Sequence, residues 1–113
     1  MELINIILSA TSALIGVLVL VVSYPLYKKK IKMNHWYGIR LRASFESDKN
    51  WYEINTYGAQ RLMKWSLLYF PIALACLFLP FSSNPFLSIA ITPLLIVPLG
   101  IALYEIFQYT KQL

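Results

Sequence analysis

The chain has 113 residues, of which 58% are hydrophobic and only 13% are charged, and its formal net charge is +5. About a quarter of the residues of a soluble domain are charged, so this composition excludes an ordinary water-soluble domain and predicts a membrane protein. A chain of this length forms one domain at most, which we place at 1–113.

Three apolar runs predict three transmembrane helices. Residues 3–27 carry no charge and exceed the roughly 20 residues that a helix needs to cross a ~30 Å hydrocarbon core. The second helix is predicted at about 62–81 and the third at about 86–107. Between them lie a basic loop and helix at 28–61 and a hairpin at 82–85. The sequence therefore predicts an all-α membrane protein.

The positions of the cations predict the orientation. Nine of the ten Lys and Arg residues lie between Lys28 and Lys64, and the tenth is Lys111. Loops rich in Lys and Arg stay on the cytoplasmic side of a membrane. We therefore expect the basic segment and the C-terminus in the cytoplasm, and the N-terminus and the 82–85 hairpin outside.

Small residues and prolines predict how the helices pack. A stripe of small residues at spacings of three and four in the first helix lets another helix approach closely: Ser9, Ser12, Ala13 and Gly16. Prolines that remove backbone donors from the later helices should kink them: Pro71, Pro80, Pro93 and Pro98. The freed carbonyls then need neighbouring groups or water. Cys76 is interpreted as a small packing residue.

The segment between the first two spans contains a second helix pattern. Trp51, Asn55 and Gly58 recur at spacings of three and four, together with Ile54, Leu62 and Trp65, which predicts a helix that continues into the second span. Ser47 or Asp48 is its expected N-cap. Earlier in the segment, Asn34 and Gly38 indicate a turn whose glycine takes a positive φ or allows a close backbone approach.

The stretch NHWYGIRLR, followed by WYEIN, resembles the signature of the SdpI family of small bacterial membrane proteins, named for the immunity protein of the sporulation-delaying peptide toxin. The resemblance covers about residues 20 to 80, in a short form with one helix before the motif. It implies protection of a bacterial cell against a secreted membrane-active peptide, from a multi-pass position in the cell membrane. The matching positions are Asn34, Trp36, Tyr37, Gly38, Ile39, Arg40, Trp51 and Asn55.

Several motif residues have simpler interpretations beside this one. Trp36 and Trp51 fit an interfacial aromatic belt as well as a specific site. We interpret Arg40 as a clamp that joins the loop to the Trp51 helix, with Asn34 and Asn55 completing the hydrogen bonds. The clustered lysines should fix topology and bind anionic lipid headgroups, at about 1 kcal/mol each: Lys28, Lys29, Lys30 and Lys32.

Other site classes find little support. His35 has no acidic residues at a metal-ligand spacing, and no catalytic arrangement or cofactor motif is present in the sequence, so we expect neither an enzyme nor a metal or cofactor. Topology accounts for the cations, so nucleic-acid binding is not predicted. Glu105 lies near the inner end of the third span, where it should pair with Arg61, Lys64 or Lys111.

Three functional hypotheses remain at this point. The first is immunity to a peptide toxin, bound at the membrane. The second is a signalling scaffold in which the basic loop recruits a cytoplasmic repressor. The third is a small transporter or lipid-handling protein that uses the proline-containing helices, and it would need a homo-oligomer because three helices enclose little volume.

Overall fold

The computed structural model describes residues 2–113, which form five α-helices and one short 3₁₀ helix with no strand among them. Three continuous helical segments, Leu3–Tyr27, Asp48–Phe78 and Phe86–Thr110, are long and apolar enough to cross a membrane. This confirms the all-α fold with three spanning helices. The helices are α1 (Leu3–Tyr27), α2 (Asp48–Ser66), α3 (Tyr69–Phe78), α4 (Phe86–Leu94) and α5 (Val97–Thr110), and the 3₁₀ helix is Arg42–Phe45.

The chain reverses sharply where α1 ends. The Lys30 N–H donates to the carbonyl of Pro25 at 3.0 Å, and the Lys29 N–H donates to Leu26 at 3.2 Å. These two bonds form a Schellman motif, in which the residue after the C-cap takes a left-handed conformation that usually requires glycine. Here Lys29 occupies that position with φ 59°. The reversal directs the following loop back toward α1.

The helix that leads into the second span begins at one of the two expected N-cap residues. The Ser47 hydroxyl accepts a hydrogen bond from the Asn50 N–H at 3.0 Å, so Ser47 rather than Asp48 is the N-cap of α2. A turn at Leu67 and Leu68 separates α2 from α3. Pro71 lacks the N–H that would bond to the Leu67 carbonyl, which explains the interruption of the helix there.

The third span is also divided by a turn next to a proline. α4 ends at Leu94 and α5 begins at Val97, just before Pro98, which cannot donate to the Leu94 carbonyl. The Tyr69 hydroxyl donates to the carbonyl of Leu95 inside this turn. A side chain of the second span thus supplies a donor where the backbone ladder is interrupted. α4 itself has no buried residue.

The second span lies in the middle of the bundle, with α1 on one side and α5 on the other. On α1, Ser12 and Gly16 are buried and Ser9 and Ala13 are partly buried, which confirms the predicted interface. A Cβ atom added to Gly16 would lie 3.1 Å from the Cβ of Tyr69, so the two helices approach closely at this point.

Asn5 joins α1 to the end of α3. Its side-chain amide donates to the carbonyls of Cys76 at 2.8 Å and Leu79 at 2.7 Å. Pro80 cannot donate to the Cys76 carbonyl, so Asn5 replaces the missing backbone donor. The Cys76 side chain is fully buried, as expected of a packing residue. We refer to this end of the bundle, with residues 79–85, as the hairpin end, and to the opposite end, with residues 28–47, as the basic end.

Candidate functional site

The loop at the basic end folds onto α2 through the side chain of Asn55. Its Oδ1 accepts a hydrogen bond from the Ile39 N–H at 2.6 Å, while its amide donates to the carbonyls of Trp51 at 2.9 Å and Ile39 at 3.4 Å. Asn55 is only 2% exposed. A buried amide in this position satisfies backbone groups that water cannot reach. We call residues 31–41, folded against Trp51 and Asn55, the cap.

Trp51 forms the floor of the cap. The residue is completely buried, and its indole N–H donates to the carbonyl of Ile31 at 2.9 Å. Phe45 packs against the indole with ring centroids 5.7 Å apart, and His35 stacks on Phe45 at 5.1 Å. Trp51 therefore lies inside the protein rather than in an aromatic belt facing lipid.

Gly38 makes this close packing possible. Its φ of +128° is one that residues with a side chain rarely adopt, which confirms the predicted glycine turn. A Cβ atom at this position would lie 2.9 Å from Asn55 Oδ1 and 2.9 Å from the Trp51 ring. The next residue, Ile39, packs over Gly58, where an added Cβ would lie 2.0 Å from the Ile39 Cδ1 atom. Both glycines thus leave room for the cap to contact α2.

Asn34 stabilises the turn at the start of the motif. Its Oδ1 accepts hydrogen bonds from the N–H groups of Trp36 at 2.9 Å and Tyr37 at 2.6 Å, and its amide donates to the Lys32 carbonyl at 2.6 Å. Such local bonds from an Asn side chain to nearby backbone are typical of tight turns. Asn34 therefore holds the loop in shape but does not contact α2 through these bonds.

The predicted role of Arg40 is wrong. Its guanidinium donates to the carbonyl of His35 within the loop, and the residue is exposed. The loop is instead joined to α2 by the Asn55 amide and by the Trp51 indole, through backbone groups of the loop. Burying a guanidinium costs more free energy than leaving it in water, because a charged group loses its hydration when it is buried. Arg40 thus stiffens the outer side of the cap.

The outward surface of the cap carries one large aromatic side chain and several cations. Trp36 is 85% exposed. The neighbouring Tyr37 turns the other way, and its hydroxyl donates to the Val22 carbonyl of α1 at 2.6 Å. The four lysines of the 28–32 segment are all exposed, as are Arg40 and Arg42. The outer side of the basic end therefore exposes a surface that is cationic and aromatic.

A second polar cluster lies between α2 and α5. Arg61 Nε is 3.1 Å from Glu105 Oε2, and the Trp65 indole N–H donates to Glu105 Oε1 at 2.8 Å. This confirms that Glu105 pairs with a cation, and Arg61 is the partner among the three considered. One turn further on, the rings of Tyr57 and Tyr109 stack with centroids 4.1 Å apart. Both carboxylate oxygens are thus engaged in holding α5 against α2.

Clusters of metal-ligating side chains and grooves in the surface are two further kinds of candidate site. Among residues 2–113, no group of three or more His, Cys, Asp or Glu side chains is placed to hold a metal ion. Two grooves lie beside α1: one of about 410 Å³ at the hairpin end, lined by Asn5 and Phe81, and one of about 240 Å³ between Val22 and Leu62. Neither groove lies between the second and third spans.

The fold and the cap together define a multi-pass helical membrane protein with a folded loop at its basic end. Residues 30–106, more than half of the chain, match the model of the SdpI/YfhL protein family. The chain belongs to this family, which is not a known family of enzymes. Comparison with curated proteins and with solved structures gives no match.

Proposed function

We propose that the protein protects a bacterial cell against a secreted, membrane-active peptide toxin. In this proposal it resides in the cytoplasmic membrane, with the basic end and the C-terminus inside the cell. Membership of the SdpI/YfhL family supports the proposal, since the immunity protein to a sporulation-delaying toxin gives the family its name. The excess of Lys and Arg at the basic end supports the orientation.

One observation carries the proposal from the family to particular residues. All the motif residues from Asn34 to Asn55 except the exposed Trp36 help to build one hydrogen-bonded cap, although the chain passes through a 3₁₀ helix between them. A binding surface gains affinity when its shape is fixed before the partner arrives. The cap is therefore the part of the molecule that we expect immunity to require.

Survival of toxin-sensitive cells tests the proposal. Cells are challenged with the sporulation-delaying type of toxin while they carry wild type, Gly38→Ala, Gly100→Ala or an empty vector, at matched abundance in the membrane. Gly38→Ala distorts the cap, whereas a Cβ atom at Gly100 meets nothing within 4 Å. We expect wild type and Gly100→Ala to protect and Gly38→Ala to lose protection. No protection by wild type would overturn the proposal.

A fourth variant separates the cap surface from the cap fold. Arg40→Ala removes an exposed cation whose only described bond is to the His35 carbonyl. Loss of protection with Arg40→Ala would assign recognition to the outer side of the cap. Full protection would confine the requirement to the folded interior around Asn55.

The exposed cations favour a second candidate function, a scaffold that recruits a cytoplasmic repressor. Lys32, Arg40 and Arg42 all project from the loop and could attract an acidic surface by long-range electrostatics. This candidate predicts that a soluble partner co-purifies at low salt and is lost at high salt. Retention of the partner after these charges are changed to Gln would contradict it.

A further inference from the structure

The length of α1 fixes where the loop lies relative to a bilayer. A helix of 25 residues is about 37 Å long at 1.5 Å per residue. The hydrocarbon core is ~30 Å thick, so α1 exceeds it by roughly five residues. With Leu3 at one boundary of the core, Val22 lies near the other, and the stretch 23–27 crosses the headgroup region. The first cation after α1 is Lys28.

The loop does not leave the membrane surface after α1 but returns to it. The left-handed Lys29 reverses the chain, and the Tyr37 hydroxyl then reaches the Val22 carbonyl at 2.6 Å. Val22 precedes the end of α1 by five residues, or about 7.5 Å along the axis. The Tyr37 side chain thus reaches back to the boundary of the hydrocarbon core, and the exposed Trp36 is the residue next to it in the loop.

The side chains exposed at this edge have the chemistry of a lipid-headgroup site. The Trp36 residue is 85% exposed, and an indole prefers the polar boundary of a bilayer. The Lys28 ammonium lies back along α1, 5.7 Å from the ring centroid of Tyr24 and 5.6 Å from that of Tyr27. Lysines near helix ends extend their charge to the headgroups in this way.

We infer that the 28–37 segment is a binding site for anionic phospholipid headgroups, with Trp36 inserted at headgroup depth and the lysines beside it contacting phosphate. Lipid binding goes beyond the proposed function, because the folded cap could serve immunity whether or not the exposed side chains of this segment bind lipid. Two features favour anionic phospholipid as the ligand of this segment. The exposed side chains are cationic and aromatic, and the hydrogen bond from Tyr37 to Val22 holds the segment close to the bilayer.

Fluorescence quenching tests the position of Trp36. The protein is reconstituted into phosphatidylcholine vesicles with phosphatidylglycerol, and the difference between wild type and Trp36→Phe isolates the emission of Trp36. We expect quenching by lipids brominated near the headgroup and protection from acrylamide in the water. Efficient quenching by acrylamide, with none by brominated lipid, would overturn the inference and indicate a surface for a soluble partner.

Lipid selectivity tests the lysines. Leu62 and Val22 line the same groove, so they lie at a similar depth. Lys49 lies 13 residues before Leu62 on α2, which places Lys49 about 20 Å further from the membrane than Leu62. Arg42 is close to this level, because the neighbouring Ala43 carbonyl accepts from the Asn50 amide at 3.2 Å. These distal cations provide a control with the same change in charge.

The two charge variants are Lys28→Gln with Lys30→Gln, and Arg42→Gln with Lys49→Gln. Native mass spectrometry counts the phosphatidylglycerol molecules retained by each protein after release from mixed vesicles. We expect the Lys28 and Lys30 variant to lose most of the retained anionic lipid and the Arg42 and Lys49 variant to keep it. Equal retention by both variants, or equal loss, would contradict a site at the 28–37 segment.

Discussion

Replacing Asn55 with alanine should open the cap without unfolding the membrane helices. The substitution removes the acceptor of the Ile39 N–H, which is bonded at 2.6 Å, and the donor to the Ile39 carbonyl. Gly38 and Trp51 crowd the same space, so little water can replace the lost oxygen. The Ile39 N–H is then left without a partner in the closed cap.

The expected cost follows from that unpaired group. Leaving a buried donor unsatisfied costs about 1–3 kcal/mol, and this cost falls on the closed state of the cap alone. The equilibrium constant for opening of the cap should therefore rise about 5- to 150-fold. The membrane helices are held by other contacts, including Gly16 against Tyr69 and Asn5 against the end of α3, so the bundle should persist.

Hydrogen exchange of the Ile39 amide measures the opening directly, in protein reconstituted into vesicles or detergent. Asn50→Ala is the matched control, because Asn50 lies on the same helix and also bonds a loop carbonyl, Ala43, at 3.2 Å. Asn50 is less buried than Asn55, so water can solvate the freed carbonyl. Ile39 exchange that remains as slow in Asn55→Ala as in wild type would refute the assignment of Asn55 as the clamp.

Two further substitutions test the ends of the helices. Lys29→Gly removes a lysine that is held in the left-handed conformation, with φ 59°. The free energy of unfolding in a denaturant titration should rise by about 1 kcal/mol, and a decrease would show that this conformation does not strain the chain. Asn5→Leu leaves the Cys76 and Leu79 carbonyls without their side-chain donor. This substitution should lower the free energy of unfolding by about 1–3 kcal/mol, whereas an unchanged value would mean that water replaces the amide.

Much of the fold could be predicted because it follows from local composition. The three spans are defined by long apolar runs, and the inward face of α2 by the spacing of Trp51, Ile54 and Asn55. The Gly38 turn was also predictable, since few residue types tolerate its φ. These features depend on neighbours in sequence or on one periodicity, both of which the chain displays directly.

The contacts that sequence reasoning missed join residues far apart in the chain. Asn5 binds carbonyls more than 70 positions away, and Tyr37 binds the Val22 carbonyl. No local pattern specifies such partners, although Pro80 did indicate that some carbonyl would need a donor. Arg40 was misassigned for a related reason: its motif position suggested a long-range contact, but the backbone path brings the His35 carbonyl within reach first.

The motif side chains divide into those that build the cap and one that does not. Asn34, Tyr37, Arg40 and Asn55 each bond a backbone group of the protein, and Ile39 packs on Gly58. Within residues 2–113, the Trp36 indole makes no hydrogen bond, and the residue is 85% exposed.

The position of Trp36 therefore distinguishes two modes of action at the basic end. If the indole lies in the headgroup region, the surface that faces water is the one with Arg40 and Arg42. A soluble partner would then have to bind through these two cations, and its binding would weaken as the salt concentration rises. An indole facing water would instead be a large aromatic anchor for that partner, with binding that persists at high salt. Quenching of Trp36 by brominated lipid should therefore accompany partner binding that is lost at high salt, and quenching by acrylamide should accompany binding that persists. Each measurement is a check on the other.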